Sequence, residues 1–438
     1  MSAKERSLPT HRISRFSKFA SLATRVAGNV IAEGTKQIAK GNKPKAKDLL
    51  LTPQNIARLT DQLAHLRGAA MKLGQMLSMD AGDVLEPELA DILSRLRSNA
   101  DPMPAKQLNG VMESSLGTSW KAEFLSFNFK PIASASIGQV HQAYSDAGDN
   151  LAVKVQYPGI RKSIDSDVDN VGTLLKVVGL IPESVDYKGL LEEAKKQLHD
   201  EADYTREAQF AIRYHDALKE HPHFVVPKIH TESSSDSVLA MEFIDGVPIE
   251  HIEHYDQSTR DFVMHSLLEL LFRELFEFKM VQTDPNFANY LYIESTRQIG
   301  LLDFGATREY SERFSAGYRK AFASVMNNDE QGLNDALEQI GFFSQTILPD
   351  QRQAILDLVK MACEPMLVDE PYDFKASGLA QKLREAGTIL SMEQEYTPPA
   401  DALFLHRKIG GMYLLAARIG AKVNIRQLVQ PYLTINSE

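Results

Sequence analysis

The segment 280–307 constrains this chain more than any other, because it places three oxygen-bearing side chains at fixed intervals. Asp284 and Asn289 are five residues apart, and Asp303 opens the tripeptide Asp-Phe-Gly behind the strand-like stretch 298–302. Magnesium takes hard oxygen ligands and needs few of them from protein. The spacing therefore predicts a site for magnesium and phosphate, in which Asp284 orients or deprotonates an acceptor while Asn289 and Asp303 hold the metal.

A lysine-bearing strand upstream supports this interpretation. The alternative is structural, with Asp284 and Asn289 as turn formers and Asp303 as a helix cap. Segment 151–156 reads as a strand that carries Lys154 in an Ala-x-Lys pattern, after a small-residue loop, a first strand and a turn. That order is typical of a kinase amino-terminal lobe, where the lysine neutralises the α- and β-phosphates. A strand lysine without such neighbours would usually face solvent.

The loop before the first strand differs from kinase loops. Protein kinases place glycines there so that backbone N–H groups can cover the phosphates. This chain has Ala133, Ser134, Ala135 and Ser136 instead. Each Cβ disfavours positive φ by about 1–2 kcal/mol. We therefore expect the loop to stay in ordinary conformations or to hold nucleotide differently, through backbone N–H groups and the serine hydroxyls.

A kinase also needs a helix acid to pair with the strand lysine. Segment 186–218 reads as one long helix with three candidates, Glu201, Asp203 and Glu207. On one helix Asp203 and Glu207 share a face, and Glu201 lies roughly a hundred degrees away. We favour Glu207 as the partner of Lys154, which leaves Glu201 and Asp203 for another cation. The alternative is that these acids only form the solvent-exposed face of a charge-rich helix.

The strand 238–246 leads into a predicted hinge between two lobes. In a kinase-like frame, the backbone around Glu242 and Ile244 would hydrogen-bond the adenine of ATP or ADP. After Gly305 there is no Ala-Pro-Glu and no long activation segment, so the usual docking platform for peptide substrates is missing. The pair Gln282-Thr283 also replaces the usual His-Arg before Asp284.

A long helix is predicted to begin with Thr52 as N-cap and Pro53 in its first turn. Lys72 and Gln75 fall on the side opposite its apolar seam. They face either solvent or a second protein surface, since small residues crowd around Lys72. The seam follows heptad spacing and consists of Ile56, Leu59, Leu63, Leu66, Ala70, Leu73 and Leu77.

Charge is unevenly distributed along the chain. Residues 1–48 carry 11 Lys/Arg against 3 Asp/Glu, although the whole chain has a net charge of −10. This basic arm is either a contact for an anionic membrane or a solvated tail. No apolar run reaches the roughly 18 residues that a membrane span needs, and segments 262–276 and 409–419 read as buried helices. The single cysteine, Cys363, excludes an internal disulfide.

Four motifs together resemble the UbiB family of atypical kinase-like proteins, which is tied to ubiquinone (coenzyme Q) biosynthesis. The resemblance is closest to its mitochondrial branch and bacterial relatives and covers nearly the whole chain. The family's K-x-G-Q is Lys72-Leu-Gly-Gln75, and its E-x-D is formed by Glu201 and Asp203. The other two are the alanine-rich loop at 133–136, with Ser134 where the family more often has Ala, and Gln-Thr-Asp-Pro-Asn at 282–286.

The resemblance implies a bilobal α+β fold of the protein-kinase type, with a helical extension packed over the active site. It implies that Lys72 reaches Glu201 or Asp203 and acts in the site with Lys154 and Asp284. The domains expected are a basic arm at 1–48, the extension at 49–125, an amino-terminal lobe at 126–243 and a mostly helical carboxyl-terminal lobe at 244–438. Family members look like ATPases that act on or alongside lipid quinone precursors.

Two hypotheses follow for function. The first is a Mg²⁺-dependent ATPase or small-molecule kinase that supports ubiquinone biosynthesis at a membrane surface, closed to protein substrates. The second is a nucleotide-binding scaffold that organises ubiquinone-biosynthesis enzymes without turnover; an ordinary protein kinase ranks third. The expected partners are adenine nucleotide, anionic lipid, quinone precursors and biosynthetic enzymes, with no nucleic acid. The expected location is cytoplasmic, peripheral on the inner membrane face, with the mitochondrial matrix as the alternative.

Overall fold

The structure is a computed structural model that describes residues 52–63, 66–80, 92, 102–135, 137–177, 180–181, 187–284, 286–343, 347–393 and 398–433. The basic arm at 1–48 lies outside the described residues, and so does Ser136 of the small-residue loop. Within the described residues, the first half of the chain has three helices, then four strands, then three helices, and helices dominate the second half.

The helices and strands have the following bounds. The α-helices are α1 Pro53–Leu63, α2 Arg67–Asp80, α3 Ala105–Leu116, α4 Ile160–Val177, α5 Tyr187–Glu201, α6 Tyr204–Leu218, α7 Gln257–Arg273, α8 Glu312–Met326, α9 Glu330–Ile340, α10 Pro349–Ala362, α11 Phe374–Ser377, α12 Leu379–Glu393, α13 Ala400–Ile419 and α14 Ile425–Leu433. The strands are β1 Phe124–Phe127, β2 Ala133–Ser134, β3 Gly138–Ser145, β4 Asn150–Gln156, β5 Phe224–Val225, β6 Val238–Glu242, β7 Val247–Pro248, β8 Met280–Gln282, β9 Tyr290–Ile293, β10 Gln298–Leu301, β11 Thr307–Glu309, β12 Tyr372–Asp373 and β13 Lys422–Val423. Short 3-10 segments occupy Trp120–Glu123, Thr231–Ser233, Ile249–His254, Phe287–Asn289 and Glu364–Met366, and a π-helical turn occupies Glu274–Phe278.

The chain divides into two compact units. The first contains Met1–Ala208 and Ile229–Phe243, and the second contains Gln209–Lys228 and Ile244–Glu438. The first unit ends at Phe243, and Gln209–Lys228 belongs to the second unit by its packing. The reason is that β5, which follows α6, pairs with β10 and not with the strands of the first unit. The separate arm and extension domains stay predictions.

The first unit is built on an antiparallel sheet in the order β1-β3-β4-β6, with β2 paired to β3. Alternation along β4 decides which side chains face its core. Leu151, Val153 and Val155 are fully buried and pack in one cluster with Trp120. Because successive side chains in a strand point to opposite faces, Lys154 projects from the other face of the sheet.

The described residues of the extension preceding this sheet are mostly helical, as the sequence predicts. Helix α1 ends at Leu63 and α2 begins at Arg67, with residues 64 and 65 outside the described range. The described seam residues are buried, as are Ala69, Met71 and Lys72 on other sides of α2. Helix α2 packs on α4 and α5. The expectation that protein covers Lys72 is confirmed, and the solvent-facing alternative is wrong.

The second unit contains a four-stranded sheet and a short two-stranded pair that shape one loop region. In the sheet, β9 and β10 form an antiparallel hairpin, and β5 runs parallel to β10. Separately, β8 pairs antiparallel with β11, with Gln282 opposite Thr307. The sequence analysis did not predict β11. These pairings bring the end of β8, the start of β9, the end of β10 and the start of β11 close together.

Both apolar segments noted in the sequence are helices of the second unit. Segment 262–276 lies in α7 and the π-helical turn that follows it, and segment 409–419 forms the second half of α13. Most of their apolar side chains are buried, including Val263, Leu267, Met412 and Leu415. Of the helices that the structure describes, none has the length and hydropathy that a membrane-spanning segment requires.

Candidate nucleotide site

The strand lysine and the favoured helix acid meet in the first unit. The Nζ atom of Lys154 on β4 lies 2.5 Å from Oε1 of Glu207 in the first turn of α6. The side chains are 12% and 4% exposed, respectively, so the pair is largely removed from water. The predicted pairing of Lys154 with Glu207 is therefore confirmed. Glu207 also lies at a helix N-terminus, where the helix dipole favours a negative charge.

A second ion pair, also within the first unit, joins the extension to helix α5. The Nζ atom of Lys72 on α2 donates a 2.5 Å hydrogen bond to Oε1 of Glu201, the last residue of α5. Their side chains are 9% and 20% exposed. The contact between Lys72 and the E-x-D segment that the resemblance implied is confirmed, with Glu201 as the acid. Gln75 belongs to α2, and its side chain lies outside the described residues.

The acidic segment is not one helix, which corrects the sequence interpretation of 186–218. Helix α5 ends at Glu201 and α6 begins at Tyr204. The Oδ1 atom of Asp203 accepts a hydrogen bond from the backbone N–H of Arg206 at 3.0 Å, the geometry of an N-cap. Asp203 therefore begins a new helix, so it does not share a helix face with Glu207 in the way a continuous helix would impose.

The break between these helices places two acids on either side of one short turn. Glu201 precedes it and pairs with Lys72, whereas Glu207 follows it and pairs with Lys154. The turn itself is held by Gln156, whose buried side chain donates to the carbonyl of Ala202 at 2.8 Å. Because Gln156 ends β4, the strand that carries Lys154 also fixes the junction.

The small-residue loop keeps ordinary backbone conformations where it is described. Ala133 and Ser134 form β2, opposite Val140 and Gln139 of β3. The backbone N–H of Ala135 donates to the carbonyl of Gly138 at 2.9 Å and closes a turn. Among the non-glycine residues that the structure describes, none in this loop has positive φ. This agrees with the expectation that the alanine-rich loop stays in ordinary backbone conformations.

In the second unit, Asp284 and Asn289 lie in hydrogen-bond contact. The Nδ2 group of Asn289 donates to Oδ2 of Asp284 at 3.0 Å, which leaves the amide oxygen of Asn289 as its acceptor group. The carbonyl of Asn289 accepts from the N–H of Leu302 at 2.9 Å, one residue before Asp303. The hydroxyl of Thr283 donates to the carbonyl of Ala306 at 2.7 Å. Hydrogen bonds thus join the loop of Asp284 and Asn289 at both ends to the loop of Asp303.

These side chains fit a magnesium ion by their chemistry. Asp303 has one oxygen, Oδ1, that accepts from the N–H of Gly305 at 3.0 Å, and a second carboxylate oxygen. Together with the amide oxygen of Asn289, this is an oxygen-only donor set of the kind Mg²⁺ takes. Within the described ranges there is no group of three or more His, Cys, Asp or Glu side chains suited to a metal. Mg²⁺ needs only one or two protein ligands, so the fit stands.

The predicted adenine-contacting residues lie where the chain leaves the first unit. Glu242 is the last residue of β6, opposite Leu151 of β4, and its side chain is exposed. Ile244 is the second residue after it and the first of the second unit's long segment. The N–H of Phe243, between them, donates to the carbonyl of Asn150 at 2.8 Å. Their contact with adenine stays a prediction.

One buried charge was missed by the sequence analysis, which found no chemistry beyond Thr307. Lys408 in α13 is 1% exposed, and its Nζ lies 2.5 Å from the hydroxyl of Tyr290, directly after Asn289. The signal was available, because Lys408 stands four residues from Phe404 and from Met412 on one face of an apolar helix. A lysine at such a core position requires a buried partner.

The fold and these side chains define a protein of the protein-kinase-like class. The arrangement combines a sheet lysine paired with a helix acid and an Asp-Asn loop joined to Asp-Phe-Gly. Comparison with known proteins agrees with this class, since a profile described as the ABC1 atypical kinase-like domain matches residues 95–337, more than half of the chain. The chain belongs to the ABC1 atypical kinase-like family, and the UbiB resemblance is thereby confirmed.

Two related proteins and one solved structure show how much of the chain this similarity covers. Atypical kinase COQ8, mitochondrial, from Saccharomyces cerevisiae is 38% identical over 97% of this chain and 85% of its own length. Atypical kinase COQ8B, mitochondrial, from Danio rerio is 35% identical over 97% of this chain and 69% of its own length. The structure of Rv3197 with erythromycin from Mycobacterium tuberculosis has a TM-score of 0.62 at 26% identity, covering 86% of this chain and 95% of that one.

Proposed function

We propose that this protein is a magnesium-dependent ATPase or atypical small-molecule kinase that supports ubiquinone biosynthesis. The observation that carries the proposal is the buried Lys154–Glu207 pair, because a lysine held by an acid in this way is what phosphoryl-transfer enzymes place against nucleotide phosphates. A structural ion pair at this depth would bring little net stability, since desolvation offsets its attraction. The pair is therefore better explained by nucleotide binding.

Each unit supplies part of the chemistry. In the first unit, Lys154 would neutralise α- and β-phosphate charge, and the loop from Ala133 to Ser136 would contact phosphate. The backbone at Glu242 and Ile244 would bind adenine. In the second unit, Asn289 and Asp303 would hold Mg²⁺, which when bound neutralises charge on the phosphates.

Asp284 would orient the acceptor group that attacks the γ-phosphate, or the attacking water in an ATPase, and accept its proton. Two hydrogen bonds hold this side chain in place: Oδ2 of Asp284 accepts from Nδ2 of Asn289 at 3.0 Å, and Oδ1 accepts from the backbone N–H of Asn286 at 3.2 Å. Lys72 would neutralise Glu201 and keep helix α2 of the extension against helix α5. An extension held in that way supports a site closed to protein substrates.

A direct test is ATP hydrolysis by the purified chain and by the Asp303→Asn variant. The variant loses a negative metal ligand but keeps its size, so turnover should fall to background while the fold is retained, as judged by circular dichroism. The assay is run with and without anionic liposomes and a phenol-type mimic of the quinone head group. Stimulation by either would support action on quinone precursors at a membrane surface, and unchanged hydrolysis by Asp303→Asn would contradict the proposal.

The names of the relatives support the mitochondrial alternative for the cellular location. Their names include the word mitochondrial, which favours the matrix over the cytoplasm as the compartment of this chain. In either compartment we propose a peripheral position on the inner face of the membrane, with residues 1–48 as the contact for anionic lipid. Removal of the net positive charge of that arm should then abolish co-sedimentation with anionic vesicles.

The alternative is a nucleotide-binding scaffold that organises ubiquinone-biosynthesis enzymes. It is favoured by one observation, the use of the Ala135 N–H inside a turn, which withdraws that donor from phosphate. A growth test separates the two functions. If an Asp284→Asn variant that still binds nucleotide restores quinone levels in a deletion strain, scaffolding is the better account; if quinone stays absent, turnover is required.

A further inference from the structure

A buried polar cluster lies beneath the loop that carries Asp284 and Asn289, entirely within the second unit. We call it the Lys408 cluster. All of its side chains are at most 4% exposed. Its members are Lys408 on α13, Glu274 in the π-helical turn after α7, Tyr214 on α6, Gln282 at the end of β8 and Tyr290 at the start of β9.

The ammonium of Lys408 contacts the residues at both ends of the loop that carries Asp284 and Asn289. Its Nζ lies 2.5 Å from the hydroxyl of Tyr290 and 3.4 Å from Oε1 of Gln282. The Tyr290 hydroxyl also donates to Oε1 of Gln282 at 3.3 Å. Gln282 is the residue before Thr283, and Tyr290 is the residue after Asn289. One cation therefore ties together the two ends of the segment that holds the acceptor-orienting aspartate and a metal ligand.

Glu274 holds the cluster from the opposite side. Its Oε1 accepts from the Tyr214 hydroxyl at 2.7 Å and from the backbone N–H of Gln282 at 3.3 Å. Its Oε2 lies 3.8 Å from Nζ of Lys408, an ion-pair distance. The strand end at Gln282 is thus bound through its backbone by an acid and through its side chain by a lysine.

The charge on Lys408 is maintained although the side chain is buried. Burial by itself lowers the pKa of Lys408, but the Glu274 carboxylate and Tyr290 outweigh it, and the pKa is raised above its usual value. Burial raises the pKa of Glu274, and Lys408 opposes that rise. An ammonium is therefore present at neutral pH, with three donors to distribute among its neighbours.

Stability alone does not explain this arrangement. Apolar side chains of similar volume are often as stabilising as a buried ion pair, or more so. Moreover, within the described residues, Oε2 of Glu274 and Nε2 of Gln282 are buried without a hydrogen-bond partner. Groups left in that state cost free energy. A protein retains unsatisfied buried groups of this kind where they fix a particular arrangement of residues. Here that arrangement is the placement of Gln282 and Tyr290 at the two ends of the loop.

We propose that Lys408 is a positioning residue whose ammonium holds Gln282 and Tyr290 together and thereby sets the placement of Asp284 and Asn289. This inference rests on the proposed phosphoryl-transfer function for its kinetic consequence, but its structural consequence can be measured independently. Helix α13 thus belongs to the functional part of the molecule, although it lies more than a hundred residues beyond the loop it holds.

The kinetic experiment compares Lys408→Met with the double variant Lys408→Met/Glu274→Gln. A displacement of about 1 Å at a reacting group can cost about 100-fold in rate. We expect the kcat for ATP hydrolysis to fall by about that factor in Lys408→Met, with KM for ATP changed less than about threefold. The double variant removes the unpaired carboxylate, so its thermal unfolding midpoint should recover while kcat stays low.

Charge compensation is the competing account, and the same double variant distinguishes it. If Lys408 serves only to neutralise Glu274, the double variant will regain kcat together with stability, and the inference is overturned. Lys360→Met serves as the matched control, because Lys360 also forms an ion pair, with Glu330, but is exposed in the same unit. It should leave kcat and the unfolding midpoint close to those of the unchanged protein.

A second variant keeps the test valid if Lys408→Met does not fold. Tyr290→Phe removes the hydroxyl that Lys408 contacts and keeps the ring. Hydrogen–deuterium exchange of the backbone amides of Asn289 and Leu302 then reports on the loop, because both are hydrogen-bonded in the structure. We expect at least tenfold faster exchange there and unchanged exchange in α9; unchanged exchange at both amides would overturn the inference.

This second readout also separates the two proposals. If the unchanged protein has no ATPase activity but Tyr290→Phe accelerates exchange in the loop, the proposed function fails and the positioning role stands. If ATP is hydrolysed and neither variant alters kcat or exchange, the function stands and the positioning role fails.

Discussion

Lys154 shows how a single side chain is directed by its strand. The core-facing positions of β4 are occupied by aliphatic residues, so alternation leaves Lys154 on the opposite face with Glu207 as its partner. Removing one member of such a pair leaves an uncompensated buried charge, which costs about 3–5 kcal/mol. Neither residue can therefore be lost without consequence, even before any nucleotide is bound.

Ala135 is the residue at which the small-residue loop can be tested. In Ala135→Gly the positive-φ penalty of about 1–2 kcal/mol is removed, so the N–H can leave its turn and reach phosphate. We expect the Kd for ATP to decrease by roughly 5- to 30-fold, the factor to which that free energy corresponds. Titration calorimetry measures it. Ala147→Gly, in the turn between β3 and β4, is the control, and identical affinity and turnover in Ala135→Gly would remove the loop from the mechanism.

At the scale of elements, the junction between α5 and α6 organises the acidic segment. Two helices replace one because Asp203 caps the second and the Gln156 side chain binds the carbonyl between them. The junction lets Glu201 and Glu207 point to different lysines from different helices. A continuous helix would have placed both acids by its own period, about a hundred degrees per residue.

The cap at this junction predicts different outcomes for two substitutions. Asp203→Ala removes the acceptor for the Arg206 N–H and should lower the free energy of unfolding by about 1 kcal/mol. Asp203→Asn retains a capping oxygen and should stay within about 0.5 kcal/mol of the unchanged protein. Urea denaturation measures both. Equal destabilisation by the two variants would show that the charge of Asp203, and not its capping oxygen, matters to the fold.

In the second unit, two strand pairs position the oxygen-bearing side chains. They are the hairpin of β9 and β10 and the pair of β8 with β11. Asp284 and Asn289 flank one loop, and Asp303 begins the next. Because Leu302 and Thr283 bind across the two loops, the spacing of the three oxygen-bearing residues in the sequence becomes proximity in space. Short strands suffice here, since the loops contribute hydrogen bonds of their own.

At the scale of the whole molecule, packing assigns segments to units in a way that chain order does not. Gln209–Lys228 precedes a stretch of the first unit but packs in the second, through β5 and α6. In the second unit, Tyr214 of this segment also holds Glu274. The segment 209–228 therefore contributes to the Lys408 cluster beneath the loop that carries Asp284 and Asn289, as well as to the sheet.

The stability of the molecule should depend on pH through His406. Its Nε2 lies 2.8 Å from the Tyr318 hydroxyl, its ring stacks on Phe342, and burial lowers its pKa to about 4. The unfolded chain, with a His pKa of about 6.5, binds the proton first. The contribution of neutral His406 to the free energy of unfolding is therefore fully present above about pH 6.5 and is lost as the pH falls towards about 4.

Denaturation curves at several pH values measure this contribution. Between about pH 6.5 and pH 4 the slope due to one such histidine approaches 1.4 kcal/mol per pH unit, about 3 kcal/mol in total. His406→Gln cannot take up the proton and should show a correspondingly smaller pH dependence. His254→Gln, at a side chain that is 86% exposed, is the control. The same pH dependence in His406→Gln and the unchanged protein would contradict the assignment.

The sequence by itself determined the features that depend on neighbours along the chain. The Asp-Asn spacing and the Asp-Phe-Gly indicated the class, and the Ala-x-Lys pattern after a loop, a first strand and a turn predicted the strand that carries Lys154. The pairing with Glu207 also followed, because the kinase frame requires one acid and few were available. These inferences succeed since period and spacing are local properties that packing does not change.

Only the tertiary structure decided the features that depend on contacts between distant residues. The resemblance left Glu201 and Asp203 open as the acid that meets Lys72, and the fold selects Glu201, 129 positions away. Lys408 meets Tyr290 across 118 positions. The break at Asp203 was likewise invisible, because the segment has good helical period and the side chain of Gln156 that holds the turn comes from another element. A charged side chain on a helix reads as solvent-facing until packing surrounds it, and burial is decided by the whole fold.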